Sequence, residues 1–434
     1  MIGFLSERLR PSRQYALVGT VILVLLAGIG LGATAIGRYV WAEHCFGAAE
    51  RALERKDFAA AGDYLTRCLA ARPESADAHF LAARTARRAL NYEEAERQLR
   101  EYQKRDGAAE LLQLERALAA AQHGNLDHVE APLLALVQQD HADAVLILEA
   151  LSRGYLRSLR LEDADTSLRL WLERRPDDVQ ALLWRGEVQE RMLHKEEALA
   201  AYRRAVELSP EQDDARLHFA ELLLRARQPK EAARHLDVLR QRQPENTAVL
   251  LDLARCRRLQ GEAEEARRLL DGALAADPEN AGLLGERGLL DLESGRAKEA
   301  EPLLRKAVAL APYDRETVYT LSRCLQLCGK AAEAEACVKK LEEIDAQLAR
   351  LDVILGKMSA APHDAGLRHE AGMIFLQSGQ AKEGLRWLHS ALQIDPLHPP
   401  THRALADYFD KLGDHSQASW HRHLAAPSTG AMGN

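Results

Sequence analysis

The chain has 434 residues, a formal net charge of −7, 28% charged residues and 5% aromatic residues. Lysine and arginine are interleaved with glutamate and aspartate, so the sequence lacks the basic patch of a nucleic-acid-binding protein, and six scattered cysteines with no C-x-x-C pair exclude a disulfide framework. The abundance of Ala, Leu, Glu and Arg favours helix and predicts an all-α chain.

The first predicted element is a membrane-spanning helix at residues 14–37, after a short basic tail at residues 1–13. No charged side chain occurs between Arg13 and Arg38. At about 1.5 Å of rise per residue this run covers roughly 36 Å, enough for a hydrocarbon core of about 30 Å. A cleaved signal peptide is an alternative, although its apolar region is shorter. A nucleotide-binding glycine turn is disfavoured because it would have to follow a strand and open a helix.

Charges and glycines near this helix predict its orientation and association. Arg8, Arg10 and Arg13 precede the span, so the positive-inside tendency places the tail in the cytoplasm. The rest of the chain is then expected on the periplasmic side of a bacterial inner membrane. Gly28 and Gly32 have a spacing that lets two membrane helices approach, which makes a homodimer one expectation.

A regular repeat of about 34 residues organises the rest of the chain. Its clearest markers are prolines, and small side chains recur at two fixed distances before them, as Gly186 and Ala198 do before Pro210. A leucine or tyrosine, such as Tyr202, follows the second small residue. Small residues let two antiparallel helices cross closely, while the larger side chain fills the adjacent space and proline ends the second helix. The prolines are Pro176, Pro210, Pro244, Pro278 and Pro312.

This pattern resembles the tetratricopeptide repeat. The stretch Ala181-Leu182-Leu183-Trp184-Arg185-Gly186, followed by Ala198, Tyr202, Ala205 and Pro210, matches the repeat well. The resemblance covers about residues 42–432 and implies a right-handed α-solenoid of about eleven helix pairs. Repeats 1–9 occupy residues 42–346 and repeats 10–11 occupy residues 363–425, with a flexible tail at residues 426–434.

The resemblance also implies where partners bind, because the family usually holds proteins or peptides on the concave face lined by the first helix of each pair. Two interpretations of this face are open. Its arginines form either a site for an acidic peptide or a solvated surface bridged to glutamates three and four residues along the same helix. The candidate partner-binding residues are Phe80, Arg84, Arg87, Arg153, Leu251, Arg255, Arg258, Tyr319 and Arg323.

The repeat breaks once, because the interval from Pro312 to Pro362 is longer than the regular spacing by nearly half a repeat. The extra residues predict an uninterrupted second helix of about 28 residues that includes residues 335–358. Its extension, residues 347–362, continues a heptad-like apolar seam. This seam is expected to pack on the next helix, on a second copy of the chain or on a docking partner. Its residues are Leu348, Leu351, Leu355 and Met358.

Cys45 and Cys68 fall at repeat positions that the helix pair brings opposite one another. Two interpretations are open: a disulfide bond in an oxidising compartment, or two buried thiols that fill the core. Cys324 and Cys328 stand four apart on one helix but lack further ligands for a metal. The sequence predicts no catalytic residue, no metal site and no cofactor.

The sequence therefore predicts a non-enzymatic, membrane-tethered scaffold that binds protein or peptide partners. An anchor followed by repeats resembles the layout of bacterial envelope-assembly adaptors. The alternative prediction is a regulatory or accessory subunit of a membrane enzyme or of an envelope export or assembly complex, docked through helix 335–358.

Overall fold

The computed structural model describes residues 36–361 and 364–426, which contain 22 helices and no strand. The all-α prediction is confirmed, and the helix order matches eleven successive pairs. The helices are α1 (36–54), α2 (Phe58–Ala71), α3 (Ala76–Arg88), α4 (Tyr92–Lys104), α5 (Ala109–His123), α6 (Glu130–Gln138), α7 (Ala144–Arg157), α8 (Leu161–Arg174), α9 (Val179–Arg191), α10 (Lys195–Leu208), α11 (Asp213–Arg225), α12 (Pro229–Arg242), α13 (Thr247–Leu259), α14 (Ala263–Ala276), α15 (Ala281–Glu293), α16 (Ala297–Leu310), α17 (Arg315–Leu327), α18 (Ala331–Ala360), α19 (Ala365–Gln377), α20 (Ala381–Ile394), α21 (Pro399–Lys411) and α22 (His415–Ala425).

The chain divides into two compact units, one ending at Ala120 and the other beginning at Ala121. In the first unit, small clusters of buried apolar residues form between neighbouring helices, such as Ala83, Leu99 and Tyr102 with Leu112. In the second unit, one cluster of buried side chains runs from α10 to α15. Each helix pair there buries its apolar face against its neighbours.

Helices within a pair cross closely where the sequence has small residues. A methyl group on Gly186 would lie 2.8 Å from the ring of Tyr202, and one on Gly288 would lie 2.6 Å from Leu304. Both contacts are too short for a real Cβ atom, so the neighbouring leucine or tyrosine occupies the space that glycine leaves. The close crossing predicted from the repeat pattern is confirmed at these two pairs.

Helix starts are stabilised by side chains that accept hydrogen bonds from the backbone. Asp178 accepts from the N–H groups of Gln180 and Ala181, and Asn246 accepts from Ala248 and Val249. These caps satisfy donors that have no partner within the helix.

The long helix predicted after Pro312 is present as α18, which is unbroken over 30 residues. Its C-terminal half contributes Leu351, Ile354 and Met358 to a buried cluster with residues of α19 and α20. The same cluster contains Leu159, which lies in the turn between α7 and α8. Within the second unit, the last repeats therefore fold back onto a much earlier part of the chain.

A buried arginine strengthens this long-range contact. Arg368 on α19 donates from Nη1 to the carbonyl oxygen of Ser158, at 2.6 Å, and to Oγ of Ser390, at 2.7 Å. Burial lowers the pKa of Arg368 to about 10, and repulsion from Arg160 adds to the effect. The contact joins residues that are 210 positions apart in the chain.

The membrane-helix prediction falls on residues 14–37, of which only Ile36 and Gly37 are described, as the first residues of α1. The tail at residues 1–13, the Gly28 and Gly32 pair, and all but the first residue of the tail at residues 426–434 also lie outside the described residues. In the part of the chain that the structure describes, no helix is both long and apolar enough to cross a bilayer.

A recurrent polar contact links successive repeats. A histidine that stands six residues after the proline of a turn contacts the carbonyl oxygen of that proline. His79 Nε2 lies 2.9 Å from the carbonyl oxygen of Pro73, and His402 Nε2 lies 2.9 Å from that of Pro396. The other ring nitrogen of His79 meets Gln98 at 2.6 Å, whereas that of His402 meets His421 at 2.9 Å. The last pair therefore has a buried histidine where an earlier pair has glutamine.

The His402–His421 contact predicts that the last helix pair loses stability in acid. Burial, followed by repulsion from His402 and His389, lowers the pKa of His421 from 6.5 to about 4. A group with a depressed folded pKa contributes stability above its unfolded pKa, and this stability is lost as the pH falls. Hydrogen exchange at α22 amides, corrected for intrinsic rates, should therefore rise up to about tenfold per pH unit between about pH 6.5 and 4.

His421→Gln, which copies the contact of His79 with Gln98, should remove most of this pH dependence. His415→Gln on the same helix is the control, because His415 is exposed and should leave the dependence unchanged. Equal pH profiles for wild type and His421→Gln would contradict the assignment.

Candidate functional site

Two of the predicted arginines share one buried glutamate in the first unit. Arg84 and Arg87, on α3, each donate from Nε to a different oxygen of Glu115 on α5, both at 2.6 Å. Glu115 is 1% exposed. Burial by itself would raise the pKa of Glu115, but Arg87 and Arg84 outweigh it and hold the pKa below its ordinary value.

The second unit repeats this arrangement on α13 and α15. Glu286 Oε1 accepts from Arg258 Nε at 2.6 Å, and its Oε2 accepts from Arg255 Nε at 3.3 Å. Burial would lower the pKa of both guanidinium groups, but the Glu286 carboxylate outweighs it and raises them. Two arginines of one first helix thus bracket a carboxylate of the next first helix, an arrangement called here the Arg–Glu–Arg clamp.

The clamps change the interpretation of the predicted arginine face. The sequence interpretation placed glutamate partners three and four residues along the same helix, but the shared partners lie 28 and 31 residues ahead, in the following repeat. Sequence analysis missed Glu115 and Glu286, although an acidic residue early in each following repeat was a usable signal. All four arginines therefore have a carboxylate partner within the chain.

The apolar members of the predicted face have packing roles. The ring of Phe80 lies 5.1 Å from that of Tyr102, and Arg84 stacks over it at 4.9 Å. Leu251 is half-buried against the large apolar cluster of the second unit. Both residues are partly buried in contacts with neighbouring side chains of the chain.

Tyr319 and Arg323 remain at the surface of α17. Arg323 lies over the Tyr319 ring at 5.9 Å, and Tyr319 is 50% exposed. This pair is separate from the clamps and lies on a different first helix.

Arg153 belongs to a cavity that sequence analysis did not predict as a site. Arg153 stacks over Trp184 at 5.7 Å, and Trp184 meets the buried Trp171 edge-on at 5.9 Å. The cavity has a volume of about 400 Å³ and is called here the Trp184 cavity. Its walls come from α7, α9 and α20: Arg153, Leu156, Arg157, Trp184, Glu187, Arg386, His389, Ser390 and Gln393.

Ion pairs connect the early and late walls of the Trp184 cavity. Glu187 on α9 lies 3.1 Å from Arg191 and 3.9 Å from Arg386 on α20. Glu383 on α20 lies 3.2 Å from Arg386 and 3.8 Å from Arg191. All four side chains are partly exposed, so the cavity opens where charged groups of both walls meet solvent.

The predicted seam on α18 divides into a part that packs on the following helices and a part that is exposed. Leu351 and Met358 are 8% and 9% exposed because the chain's own α19 and α20 and the turn at Leu159 cover them. Leu348 and Leu355 are 45% and 40% exposed. The seam divides because a straight helix turns every 3.6 residues, which brings Ile354 inward where a strict heptad expects Leu355.

Leu348 and Leu351 also line a second cavity, of about 560 Å³, between α18 and the turns beside it. The turn before α17, the first residue of α17 and the C-terminal end of α19 complete its walls, with Tyr313, Arg315 and Phe375 among the lining residues.

The two cysteines predicted to face one another share a buried cluster with Ala42 and Ala78. Cys45 and Cys68 are both free thiols. Burial, followed by the nearby Cys45, raises the pKa of the Cys68 thiol, which disfavours its thiolate. Among the described residues, no group of three or more His, Cys, Asp or Glu side chains could hold a metal ion.

Comparison with known protein families gives three matches. Residues 156–281 match the model described as the cytochrome c-type biogenesis protein H TPR domain. Residues 251–315 and 291–352 match two models of the tetratricopeptide repeat. The comparison with curated proteins finds no match.

Solved structures give distant similarities. A tetratricopeptide repeat protein from Parabacteroides merdae has 18% identity and a TM-score of 0.45, over 53% of this chain and 91% of that one. PilW, a type IV pilus biogenesis factor, has 20% identity and a TM-score of 0.38, over 47% and 91%. YrrB, a TPR protein with an unusual peptide-binding site, has 22% identity and a TM-score of 0.28, over 47% and 97%.

The Arg–Glu–Arg clamp predicts that substitution of Glu286 lowers stability much more than substitution of Glu293, although both glutamates contact Arg258. Glu286→Gln leaves Arg255 and Arg258 without their shared carboxylate, and we expect it to destabilise α13 and α15 against local opening by about 2–3 kcal/mol. This expected destabilisation is smaller than the loss for a fully buried ion pair, because Arg255 is partly exposed.

Glu293→Gln is the matched control, because Glu293 contacts Arg258 from an exposed position. It should cost about 0–1 kcal/mol. Native-state hydrogen exchange at the amides of α13 and α15 measures both values. Equal effects of the two substitutions would show that the clamp contributes nothing beyond a surface ion pair.

Proposed function

Because the chain is a tetratricopeptide repeat protein, we propose that it is a non-enzymatic interaction scaffold that binds protein or peptide segments on the face formed by its first helices. The observation that carries this proposal is the Trp184 cavity, where two successive first helices present an indole ring and arginines beside an opening of about 400 Å³. Pockets of roughly 300–1,000 Å³ that combine apolar walls with a few polar groups are typical ligand sites.

The rest of the first-helix face supports a scaffold role through its rigidity. Arg–Glu–Arg clamps join α3 to α5 and α13 to α15, so neighbouring first helices are fixed relative to one another. A fixed face loses little conformational entropy when a partner binds, and this favours affinity.

We further propose that residues 14–37 tether the scaffold to a membrane, with the helix pairs on the periplasmic side. The support is the uncharged run itself and the arginines that precede it. Association of two copies through Gly28 and Gly32 is part of the same proposal.

A second candidate function is an accessory subunit of an envelope assembly system. The match of residues 156–281 to the cytochrome c-type biogenesis protein H TPR domain favours it. In this alternative, the exposed Leu348 and Leu355 on α18 contact a single partner of the complex.

The scaffold proposal predicts specific recovery of partner proteins after crosslinking in native membranes and purification of the tagged full chain. Leu348→Glu combined with Leu355→Glu should leave recovery unchanged, as should the control Leu193→Glu at a turn residue that is 87% exposed. Loss of one stoichiometric partner in the double variant alone would favour the accessory subunit. Recovery equal to that from untagged cells would overturn both functions.

The tether predicts that the full chain stays with membranes during an alkaline carbonate wash. A variant lacking residues 1–37 should be released by the wash and should keep its helix content by circular dichroism. Release of the intact full chain would contradict the tether without affecting the scaffold proposal.

A further inference from the structure

We propose that the exposed start of α1 binds a phospholipid bilayer at the level of its headgroups, so that the first helix pair is seated on the membrane surface. The binding surface is called here the aromatic collar and consists of Ile36, Tyr39, Val40 and Trp41. This inference rests on the proposed tether and goes beyond it, because it assigns a lipid ligand to described residues of the first helix pair.

The aromatic collar exposes apolar side chains on several sides of one helix. All four of its side chains are more than half exposed, with exposed fractions between 51% and 66%. Successive residues of an α-helix are about 100° apart around its axis. Tyr39 and Trp41 therefore lie on nearly opposite sides of α1.

The remainder of α1 becomes amphipathic immediately after the aromatic collar. Ala42 and Cys45 are fully buried, while Glu43 and His44 between them are exposed. A helix on the surface of a globular protein normally has this one-sided pattern. The collar departs from the pattern although it belongs to the same helix, which indicates a different environment for the collar.

The position of the aromatic collar in the chain points to lipid as its ligand. The uncharged run at residues 14–37 leads directly into the collar. From Gly37 to Trp41, α1 rises about 6 Å, and one headgroup layer of a bilayer is roughly 5–8 Å thick. With the tether in the bilayer, the collar therefore lies in the layer that borders the hydrocarbon core, where tryptophan and tyrosine are enriched.

The distribution of the collar around α1 favours lipid over a protein partner. A protein partner, including a second copy of the chain, contacts a helix mainly from one side. Headgroups surround a helix that leaves the membrane, so they can cover Tyr39 and Trp41 together. Each of these rings combines an apolar body with a polar tip, which suits the boundary between acyl chains and water.

Contacts between α1 and α2 fix the aromatic collar relative to the first helix pair. Arg38 Nη2 donates to the carbonyl oxygen of Ala71, the last residue of α2, at 3.2 Å. Arg72 lies over the Tyr39 ring at 4.4 Å and donates from Nη1 to Glu43 at 2.7 Å. The end of α2 therefore lies beside the collar, and a collar held in the headgroup layer keeps both helices at the membrane surface.

Fluorescence quenching by brominated phospholipid tests the inference on the full chain reconstituted in vesicles of phosphatidylcholine and phosphatidylglycerol. Bromine on the upper acyl carbons, next to the headgroups, quenches indole rings that lie close to it. The chain has five tryptophans, of which Trp41 alone belongs to the collar. We expect brominated lipid to quench wild-type emission, and we expect Trp41→Phe to reduce the quenched intensity at least fivefold.

Trp420→Phe is the matched control, because Trp420 on α22 is exposed to a similar extent as Trp41. This control should leave the quenched intensity unchanged. In the Trp41→Phe background, Tyr39→Trp should restore the quenching. Phe46→Trp in the same background should not, because position 46 lies about 7.5 Å beyond position 41 along α1. Circular dichroism checks that each variant is folded.

Two results would overturn the inference and leave the tether in place: equal quenched intensity in wild type and Trp41→Phe, or no quenching of a chain that withstands the carbonate wash. A second copy of the chain seated on the collar would give the latter result, because it would shield Trp41 from lipid. Release of the chain by the wash would remove the tether and the lipid-binding surface together. None of these results affects the scaffold function.

Discussion

A pair of short helices cannot bury its own apolar face, and the rest of this structure depends on that limit. In the second unit, buried side chains of α10–α15 form one cluster because each pair covers its neighbour. Gly186 and Gly288 allow the close crossing within pairs that makes this stacking dense. Burial of this kind accumulates along the chain, so the first helices become a fixed surface although no single pair is stable alone.

Charged side chains then give different parts of that surface different roles. Where two arginines of one first helix meet a buried glutamate of the next, their charge holds neighbouring repeats together. Removing charges from water is costly, and the clamp compensates by giving each carboxylate oxygen its own guanidinium donor. Around Trp184, Glu187 and Glu383 pair with Arg191 and Arg386, and these side chains are more exposed than the glutamates of the clamps. Arginine therefore stabilises the stack in one place and lines the proposed binding cavity in another.

The repeat, the helix pairs and the long α18 could be predicted from sequence, because each leaves a local signal: a proline at the end of each repeat, small residues at crossings, and one longer interval between Pro312 and Pro362. The clamps were missed because their glutamates lie in the repeat that follows the arginines. The Trp184 cavity could not be predicted from the sequence at all. It requires α20 to return to α7 and α9, and no local pattern encodes a contact such as that between Arg368 and Ser158, 210 residues apart. The seam on α18 was predicted in part, because a straight helix turns every 3.6 residues and buries Ile354 where a strict heptad expects Leu355.

The central claim is that recognition occurs on the first-helix face beside Trp184. Its most direct measurement is site-specific photocrosslinking in cells, with p-benzoylphenylalanine replacing Trp184 in one variant and the exposed turn residue Leu193 in another. We expect light-dependent adducts with a partner protein from position 184 and none above background from position 193. Adducts from position 193 without adducts from position 184 would contradict the account.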